Sequence, residues 1–458
     1  MNLKVKAKLD PKFEPLSVVV REMREATKEN GQDVIVAIER NKGQISTYKT
    51  RIYPDGTGHD EENFRFVERI VKSLLWIAGG YKVFVAGSDV VGSKIKEAYT
   101  PDGIRAFDED YMADVFEKPF EVVVCSLEDA PEDYYIASSV GRHLDGCRIG
   151  FDAGGSDRKV SAVIDGESVY SEEVVWFPKL NSDPEYHYQG ILEAFKTAAS
   201  KMPRVDAIGV SSAGVYIENK TRIASLFLKV SKEDHDKRIK NIYLDVAKEI
   251  GEDIPVIVAN DGDVTALAGA MDLNDDSVLG IAMGTSEAGG YIDQQGNITG
   301  WLNELAFVPI DFNTDAMVDE WSGDYGCGVK YFSQDGVIKL APAAGITLDE
   351  NLSPAEKLKV VQGLMEKGDQ NAADIYDTIG AYFGYAIAYY SEFYDIKHVL
   401  IMGRVTSGQG GQILLSRAQE VLDKEFPELA EKIELHIPDE KSRRVGQSVA
   451  AASLPKLN

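Results

Sequence analysis

The segment RIGFDAGGSDRKVSAVID, residues 148–165, constrains the fold of this chain more than any other. Two apolar runs, the first ending at Asp152, flank a glycine-rich turn, and this pattern is typical of a β-hairpin. Because Gly154 and Gly155 lack Cβ atoms, the backbone can approach a phosphate closely, and Ser156 adds a hydroxyl. Asp152, at the strand end, could hold Mg²⁺ through water. An ordinary hairpin whose glycines only supply positive φ accounts for the same residues.

Composition and charge exclude several classes of protein. The 458 residues suggest two or three domains, and 44% of them are hydrophobic, which is ample for their cores. The net charge of −26 argues against nucleic-acid and anionic-membrane partners, since both need basic patches. The three cysteines lie far apart and indicate no disulfide framework. No segment is typical of a signal peptide or a membrane helix, so we expect a cytoplasmic protein.

Three further predicted strands end in polar or glycine-rich segments. They are Pro255–Ala259 before Asn260 and Asp261, Val278–Met283 before Gly284 and Thr285, and Val399–Met402 before Gly403 and Arg404. Together with the hairpin around Asp152, this order resembles the sugar-kinase, actin and Hsp70 superfamily. Members of that superfamily have two lobes, each with a phosphate turn, and bind a nucleotide in the cleft between the lobes.

Within that superfamily the chain is most similar to the repressor, open reading frame, kinase (ROK) family of bacterial sugar kinases, over roughly residues 148–454. Five segments carry the resemblance in the family's order: Asp152–Ser156; Ile257–Asp261 with Ala266 and Ala268; Leu279–Thr285 with Gly289 and Gly290; Gly300 with Asn303–Leu305; and Gly323 with Gly326, Cys327, Tyr331 and Ser333. The resemblance implies an α/β, two-lobed actin-like ATPase (ribonuclease H-like) fold with an extra N-terminal α/β section.

The resemblance also suggests a division into three sections. Residues 1–146 form the N-terminal section, residues 147–272 the first lobe, and residues 273–458 the second lobe with the adenosine side. The order of elements in residues 61–143, including a short helix expected at 134–143, matches that in residues 372–454 at a nearly constant spacing. We therefore predict that the N-terminal section folds as a separate unit and is a degenerate copy of the C-terminal subdomain, although α/β units look alike by default.

The resemblance implies an ATP-dependent kinase that uses Mg²⁺. In such an enzyme a carboxylate takes the proton of the acceptor hydroxyl, and the protein positions the phosphates and neutralises their charge. The implied residues are the general base Asp261; the substrate-binding Asn260, Glu304 and Gly214; and the ATP- or phosphate-binding Asp152, Gly154, Gly155, Ser156, Lys159, Gly284, Thr285, Gly403 and Arg404, with Asp152 also holding Mg²⁺ through water.

Each of these roles has a structural alternative. Asn260 and Asp261 could cap the helix expected near Val264, although Asp263 could do that as well. Glu304 could be a surface or capping carboxylate, and Lys159 a solvated lysine on a hairpin.

The chain departs from the family pattern at the zinc site and in the sugar pocket. The family's zinc site uses three cysteines and a histidine, but only Cys327 remains here, with Glu320, Ser322 and Phe307 at the other positions. Because zinc needs four ligands in a closed tetrahedron, the sequence predicts no zinc site. Phe307 and Val329 also replace two sugar-contacting side chains, so the family's hexose preferences should not be transferred.

Two functions remain open from the sequence. The first is an ATP-dependent sugar or polyol kinase; the second is a catalytically decayed protein that binds nucleotide or sugar. A DNA-binding repressor, a role of some family members, is disfavoured because residues 1–146 show no helix-turn-helix signature and the chain is acidic. The identity of the sugar stays open, and the resemblance is compatible with a homodimer.

Overall fold

The computed structural model describes residues 1–438 and 440–457, and for residues 440–445 it describes the backbone alone. Within this part of the chain, three sheets have four or five strands and one has two strands. The largest apolar core is shared between the N-terminal section and the second lobe. None of the described helices is long and apolar enough to cross a membrane.

The N-terminal section has a sheet in the order β2-β1-β3-β4 with four helices against it. The strands are β1 (Gln32–Glu39), β2 (Ile45–Ile52), β3 (Lys82–Ala86) and β4 (Glu121–Cys125), and the helices are α1 (Leu16–Thr27), α2 (Asp60–Ala78), α3 (Asp89–Ala98) and α4 (Ala106–Phe116). Helix α2 begins with three acidic residues, which suit the positive end of the helix dipole, and ends at Gly79 with a φ of 81°.

The first lobe has a five-stranded sheet in the order β11-β8-β5-β6-β7. Its elements are β5 (Cys147–Ala153), β6 (Asp157–Ile164), β7 (Glu167–Val175), α5 (Pro184–Ala199), β8 (Ala207–Ser212), β9 (Val215–Ile217), β10 (Lys220–Ile223), α6 (Lys232–Asp234), α7 (Ile242–Lys248), β11 (Val256–Asn260) and α8 (Asp261–Leu273). The sequence predicts one long helix over residues 232–250, but a π-helical turn at His235–Ile239 interrupts it. The reason lies in β10, because the carbonyl of Lys240 accepts the Thr221 N–H instead of continuing the helix ladder.

The second lobe has a sheet in the order β13-β12-β14-β15. Its elements are β12 (Val278–Met283), β13 (Glu287–Ile292), α9 (Gln334–Leu340), α10 (Pro354–Glu366), α11 (Gln370–Tyr390), β14 (His398–Met402), α12 (Gln409–Glu425), α13 (Pro427–Ala430), β15 (Glu434–His436) and α14 (Glu440–Ala452).

Helices α8 and α14 cross between the lobes. The residues of α8 share a core with β12 and β13, whereas α14 packs on the first-lobe sheet, where Ser161 Oγ lies 2.7 Å from Ser448 Oγ. Each helix thus packs mainly against the sheet of the lobe to which a division at residue 272 does not assign it, and that division stays a prediction. The crossing fixes the start of α8, residues 260–263, between the two sheets.

The N-terminal section has a sheet of its own, and its folding as a separate unit stays a prediction. Its apolar core continues into that of α11, where the hydroxyl of Tyr389 lies 2.7 Å from Ser73 Oγ of α2. The predicted short helix at residues 134–143 is wrong. This segment is extended, because Ile45 donates to the Tyr134 carbonyl at 2.9 Å and Gly141 donates to the Leu454 carbonyl at 3.1 Å.

The two sheets that the duplication would relate agree only in part. Strands β3 and β14 each hold third place in their sheet, beside a parallel last strand. However, β1 runs antiparallel to β3, whereas β12 runs parallel to β14. The duplication stays a prediction.

Candidate active site

The first glycine-rich turn joins β5 and β6, with Asp152 opposite Lys159 in the register. The Gly154 N–H donates to the Asp157 carbonyl at 3.0 Å, and Trp176 Nε1 donates to the Gly154 carbonyl at 2.7 Å. Lys159 Nζ lies 3.0 Å from Asp157 Oδ1 and 3.9 Å from Asp152 Oδ2, so this lysine lies at the turn and pairs with its carboxylates.

Asp152 lies buried at the end of β5. Ser211 Oγ donates to Asp152 Oδ1 at 2.8 Å. Burial raises the pKa of Asp152 to about 6; the negative charge of Asp261 acts in the same direction, and the Ser211 hydrogen bond opposes it. Asp152 and Asp261 lie at the same end of the first-lobe sheet, because β5 and β11 both run parallel to β8, with Asp152 opposite Ser211 and Asn260 opposite Ser212.

Lys179 is a cation at this turn that the sequence did not reveal. It is exposed and follows β7 in a short 3₁₀ turn. A Cβ atom added to Gly155 would lie 3.0 Å from Lys179 Nζ, so the ammonium group covers the turn. Burial raises the pKa of Asp261, and the positive charge of Lys179 acts against that rise. No local pattern marks such a residue, because the contact depends on the path of the loop after β7.

The predicted capping alternative is confirmed for Asn260, which is the N-cap residue of α8. Its Oδ1 accepts from the Gly262 N–H at 2.7 Å, and its Nδ2 donates to the Gly214 carbonyl at 2.8 Å. Asp261 is the first residue of the helix. Because the Asn260 side chain caps α8, the carboxylate of Asp261 is not needed for capping.

Asp263 anchors α8 to the second lobe. Its Oδ1 accepts from the Tyr291 N–H at 3.1 Å and from Asn303 Nδ2 at 2.8 Å, and burial raises its pKa to about 7. The helix start and β13 touch through their backbones, since a Cβ atom on Gly290 would lie 2.1 Å from the Gly262 carbonyl oxygen. Asp263 therefore has a structural role, and Asp261 remains the candidate for the base.

Glu304 lies on the acceptor side of the same cleft. Burial, with the charges of Asp261 and Asp263, raises its pKa to about 7. The Glu304 N–H donates to the Trp76 carbonyl of α2 at 3.0 Å, so the N-terminal section holds this residue in place. Glu304 is half-buried, and the alternative of a purely solvated surface carboxylate does not fit this environment.

Aromatic side chains of the N-terminal section line the neighbourhood of Glu304. The ring of Phe307 lies 4.2 Å from that of Trp76, and Trp76 lies 4.7 Å from Tyr111. Burial raises the pKa of Tyr111, and the charge of Glu304 acts in the same direction. Phe307 thus occupies the position at which the resembled family contacts sugar through a histidine, and its ring packs against that of Trp76.

A cavity of about 290 Å³ lies between the N-terminal section and the first lobe, beside Asn260 and Gly214. Arg40 lines it and is only 3% exposed. Arg40 donates to the Gly300 carbonyl at 2.9 Å and to Gln44 Oε1 at 3.0 Å. Among the described residues no carboxylate forms an ion pair with Arg40, and burial lowers its pKa to about 10.

The second glycine-rich turn joins β12 and β13. Gly284 donates to the Ser286 carbonyl at 2.9 Å, and Arg404 donates to Thr285 Oγ1 at 3.0 Å. Gly403 has a φ of 100°, and a Cβ atom there would lie 2.3 Å from the Met283 carbonyl oxygen, so only glycine fits. The structure thus brings Gly284, Thr285, Gly403 and Arg404 together as a second cluster.

The residues at the four zinc positions of the resembled family do not form a metal site. Glu320 pairs with Lys330, Ser322 donates to Asp319, and Phe307 stacks on Trp76. Burial raises the pKa of the Cys327 thiol above its ordinary value, whereas zinc binds the thiolate. The donor set does not fit zinc.

We expect a Cys327→Ser variant to hold the same amount of metal as the wild-type protein. The thiol lies buried beside Asp324, its Sγ 3.7 Å from Asp324 Oδ2, with no second sulfur or nitrogen ligand from the other three positions. Elemental analysis of both proteins after dialysis against metal-free buffer checks this. Loss of one equivalent of zinc in the variant would contradict it.

A buried ion network lies next to Cys327 instead. It consists of three carboxylates and three cations, namely Glu68, Asp108 and Asp324 with Arg69, Lys72 and Arg105. Five of the six belong to the N-terminal section. Burial tends to raise the pKa of Asp324, but the charges of Arg69 and Lys72 outweigh it and lower that pKa. The network joins the N-terminal section to the loop that holds zinc in the resembled family.

Comparisons with known proteins identify relatives of this chain and its fold. The model of the ROK family matches residues 148–448. The structure of a ROK hexokinase from Thermus thermophilus is similar with a TM-score of 0.51 and 18% identity, over 66% of this chain and 97% of that one. A ROK family transcriptional regulator, a homologue of the E. coli MLC protein, is similar with a TM-score of 0.53 and 18% identity, over 68% of this chain and 79% of that one. No curated protein matches the sequence. The fold is therefore the two-lobed actin-like ATPase fold.

Proposed function

We propose that this chain, which belongs to the ROK family, is a kinase that transfers the γ-phosphoryl group of ATP to a hydroxyl of a sugar or polyol. The observation that carries the proposal is the position of Asp152 and Asp261 at the same end of the first-lobe sheet, where β5 and β11 flank β8. The charge of Asp261 also acts to raise the pKa of Asp152 and that of Glu304, which supports a shared cleft. Both glycine-rich turns lie at strand ends of the two sheets, as a phosphate-binding cleft requires.

Each of these residues has a separate role in the proposed phosphoryl transfer. Asp261 accepts the proton of the acceptor hydroxyl, and Glu304 accepts a hydrogen bond from a second hydroxyl. Asp152 holds Mg²⁺ through water, and Mg²⁺ supplies charge neutralisation when bound. Lys179 neutralises charge on the phosphoryl group from the side of the first turn.

The phosphate-binding residues form two clusters on either side of this cleft. Gly154, Gly155, Ser156 and Lys159 contribute the first turn, and Gly284, Thr285, Gly403 and Arg404 contribute the second. Asn260 and Gly214 lie on the acceptor side of the cleft. The hydrogen bond between them holds together two residues that line the cavity beside Arg40.

The acceptor is selected in part by the N-terminal section. Tyr111 and Phe307 are partly exposed aromatic residues near Glu304 that both pack against the buried Trp76, and Arg40 lines the adjoining cavity. Aromatic rings pack against the apolar faces of sugars, while Arg40 offers hydrogen bonds to oxygen atoms. A screen of sugars and polyols in an ATP-consumption assay tests the proposal.

The alternative function is nucleotide or sugar binding without catalysis. The observation that favours it is the replacement of two sugar-contacting side chains by Phe307 and Val329. ATP binding without stimulation by any sugar or polyol would support this alternative and count against the kinase.

We expect Lys179→Met to lower kcat by about tenfold, less than the ~10² seen on removing a buried donor, because the ammonium group is exposed. The loss of its positive charge should also raise the pKa of Asp261, so the acidic limb of the profile of kcat/KM against pH moves to higher pH. Lys248→Met is the matched control, an exposed lysine paired with Asp245. An unchanged kcat and an unchanged acidic limb would contradict the role of Lys179.

A further inference from the structure

Three metal-ligand side chains meet at the edge of the second-lobe sheet. His398 is the first residue of β14, at the end of the strand opposite Gly403. In the parallel register His398 lies opposite Glu434, and Leu400 lies opposite His436. Because side chains alternate along a strand, Glu434 and His436 point to the same face as His398.

The ligand atoms form a compact triangle. Nδ1 of His398 lies 3.0 Å from Nε2 of His436, and Oε2 of Glu434 lies 3.9 Å and 3.8 Å from these two nitrogens. Ligand atoms around a tetrahedral Zn²⁺ stand about 3.3 Å apart, given Zn–N and Zn–O bonds of about 2.0–2.1 Å. To reach that spacing the oxygen of the exposed Glu434 side chain would move about 0.5 Å closer to both nitrogens, and the two nitrogens would move about 0.3 Å apart.

A fourth residue orients the buried imidazole. His398 is 9% exposed, and its Nε2 lies 3.1 Å from Oδ2 of Asp275, in the loop between α8 and β12. When the Nε2–H donates to this carboxylate, the lone pair of Nδ1 points toward His436 and Glu434. Histidines that bind metals are typically held by such a carboxylate on the other ring nitrogen.

A simple hydrogen bond between the two histidines explains only part of this arrangement. With a neutral His398 whose Nε2–H faces Asp275, that bond requires a proton on His436 Nε2, directed at His398 Nδ1, and it makes no use of Glu434. In the metal-bound form that proton moves to His436 Nδ1, and both facing nitrogens offer lone pairs.

We propose that His398, His436 and Glu434 bind one divalent transition-metal ion, with Asp275 orienting His398. Two imidazoles and one carboxylate are donors that suit Zn²⁺, and they leave a fourth position for water. The ion fastens β15, an edge strand of three residues, to β14. The site is distinct from the zinc position around Cys327 and from the Mg²⁺ at Asp152. The sequence prediction of no zinc site concerned the cysteine and histidine positions of the resembled family. The three ligands proposed here were missed, because they are separated along the chain and only the pairing of β14 with β15 joins them.

A titration of the metal-free full-length chain with Co²⁺ tests the proposal through the visible absorption of the bound ion, and calorimetry with Zn²⁺ gives the affinity. We expect one equivalent to bind. His436→Gln and Glu434→Gln should weaken binding at least tenfold, and Asp275→Asn should weaken it by about 10- to 100-fold. Both His436 and Glu434 reach the surface, so these variants should keep the fold.

The matched control is His59→Gln, since His59 is a surface histidine that pairs with one carboxylate, that of Glu62, and stacks on Tyr53. It should bind Co²⁺ as the wild-type chain does. Zn²⁺ should also raise the Tm of the wild-type chain and not that of His436→Gln. The proposal is overturned if the wild-type chain binds no equivalent, if His436→Gln binds with wild-type affinity, or if Cys327→Ser loses the bound ion.

Discussion

Replacing Asp261 by asparagine should lower kcat by about 10²- to 10⁴-fold, because the acceptor hydroxyl loses its general base. Nucleotide affinity should stay nearly unchanged, since the two glycine-rich turns contact Asp261 through neither backbone nor side-chain hydrogen bonds among the described residues. The measurements are steady-state kinetics with a responsive acceptor and calorimetric titration with a non-hydrolysable ATP analogue.

The control for this experiment is Asp89→Asn. Asp89 is the first residue of α3, directly after the capping Ser88, just as Asp261 directly follows the capping Asn260, but Asp89 is exposed and far from the cleft. It should leave kcat unchanged. Near wild-type turnover in Asp261→Asn would show that another group accepts the proton.

The pH dependence of the wild-type enzyme follows from the same carboxylate. Burial raises the pKa of Asp261, and a general base must be ionised to accept a proton. The rate should therefore fall as the pH drops through a value above the ordinary range of aspartate, and Asp261→Asn should abolish that limb.

Local patterns in the sequence were sufficient to predict the strand ends and their turns. Asp152, Asn260 with Asp261, and Gly284 with Thr285 follow buried strands, and the structure has them there because backbone sterics and strand burial act over a few residues. Lys179 was missed because its contact with the first turn depends on a distant loop.

The face of α2 shows why the buried contacts of the N-terminal section were not predicted. The sequence predicts a helix over residues 61–78 with an apolar face, but Glu68, Arg69 and Lys72 belong to what appears in the sequence as a solvated face. The structure buries them, because the partner charges come from Arg105, Asp108 and Asp324, which the sequence does not place nearby. Long-range charge pairing leaves no periodic signal.

Replacing Asp324 by asparagine should destabilise the chain by about 3–5 kcal/mol, as expected when one member of a buried ion network is removed. Asparagine keeps the shape of the side chain, so the change isolates the charge. Three buried cations would then face two carboxylates, and an unpaired charge would lie at the junction between the N-terminal section and the second lobe. The measurement is the midpoint and slope of guanidinium unfolding.

The exposed pair of Lys12 and Asp315 provides the control, since both side chains are 71% exposed. Asp315→Asn should change stability by no more than about 0.5 kcal/mol, as is typical of surface pairs. A double variant with Lys72→Met and Asp324→Asn restores charge balance, so its loss should be smaller than the sum of the two single losses. Strict additivity would mean that Lys72 and Asp324 contribute separately. A loss of stability smaller than the sum would show that the ion network stabilises the loop of Asp324, at the position where the resembled kinases hold zinc.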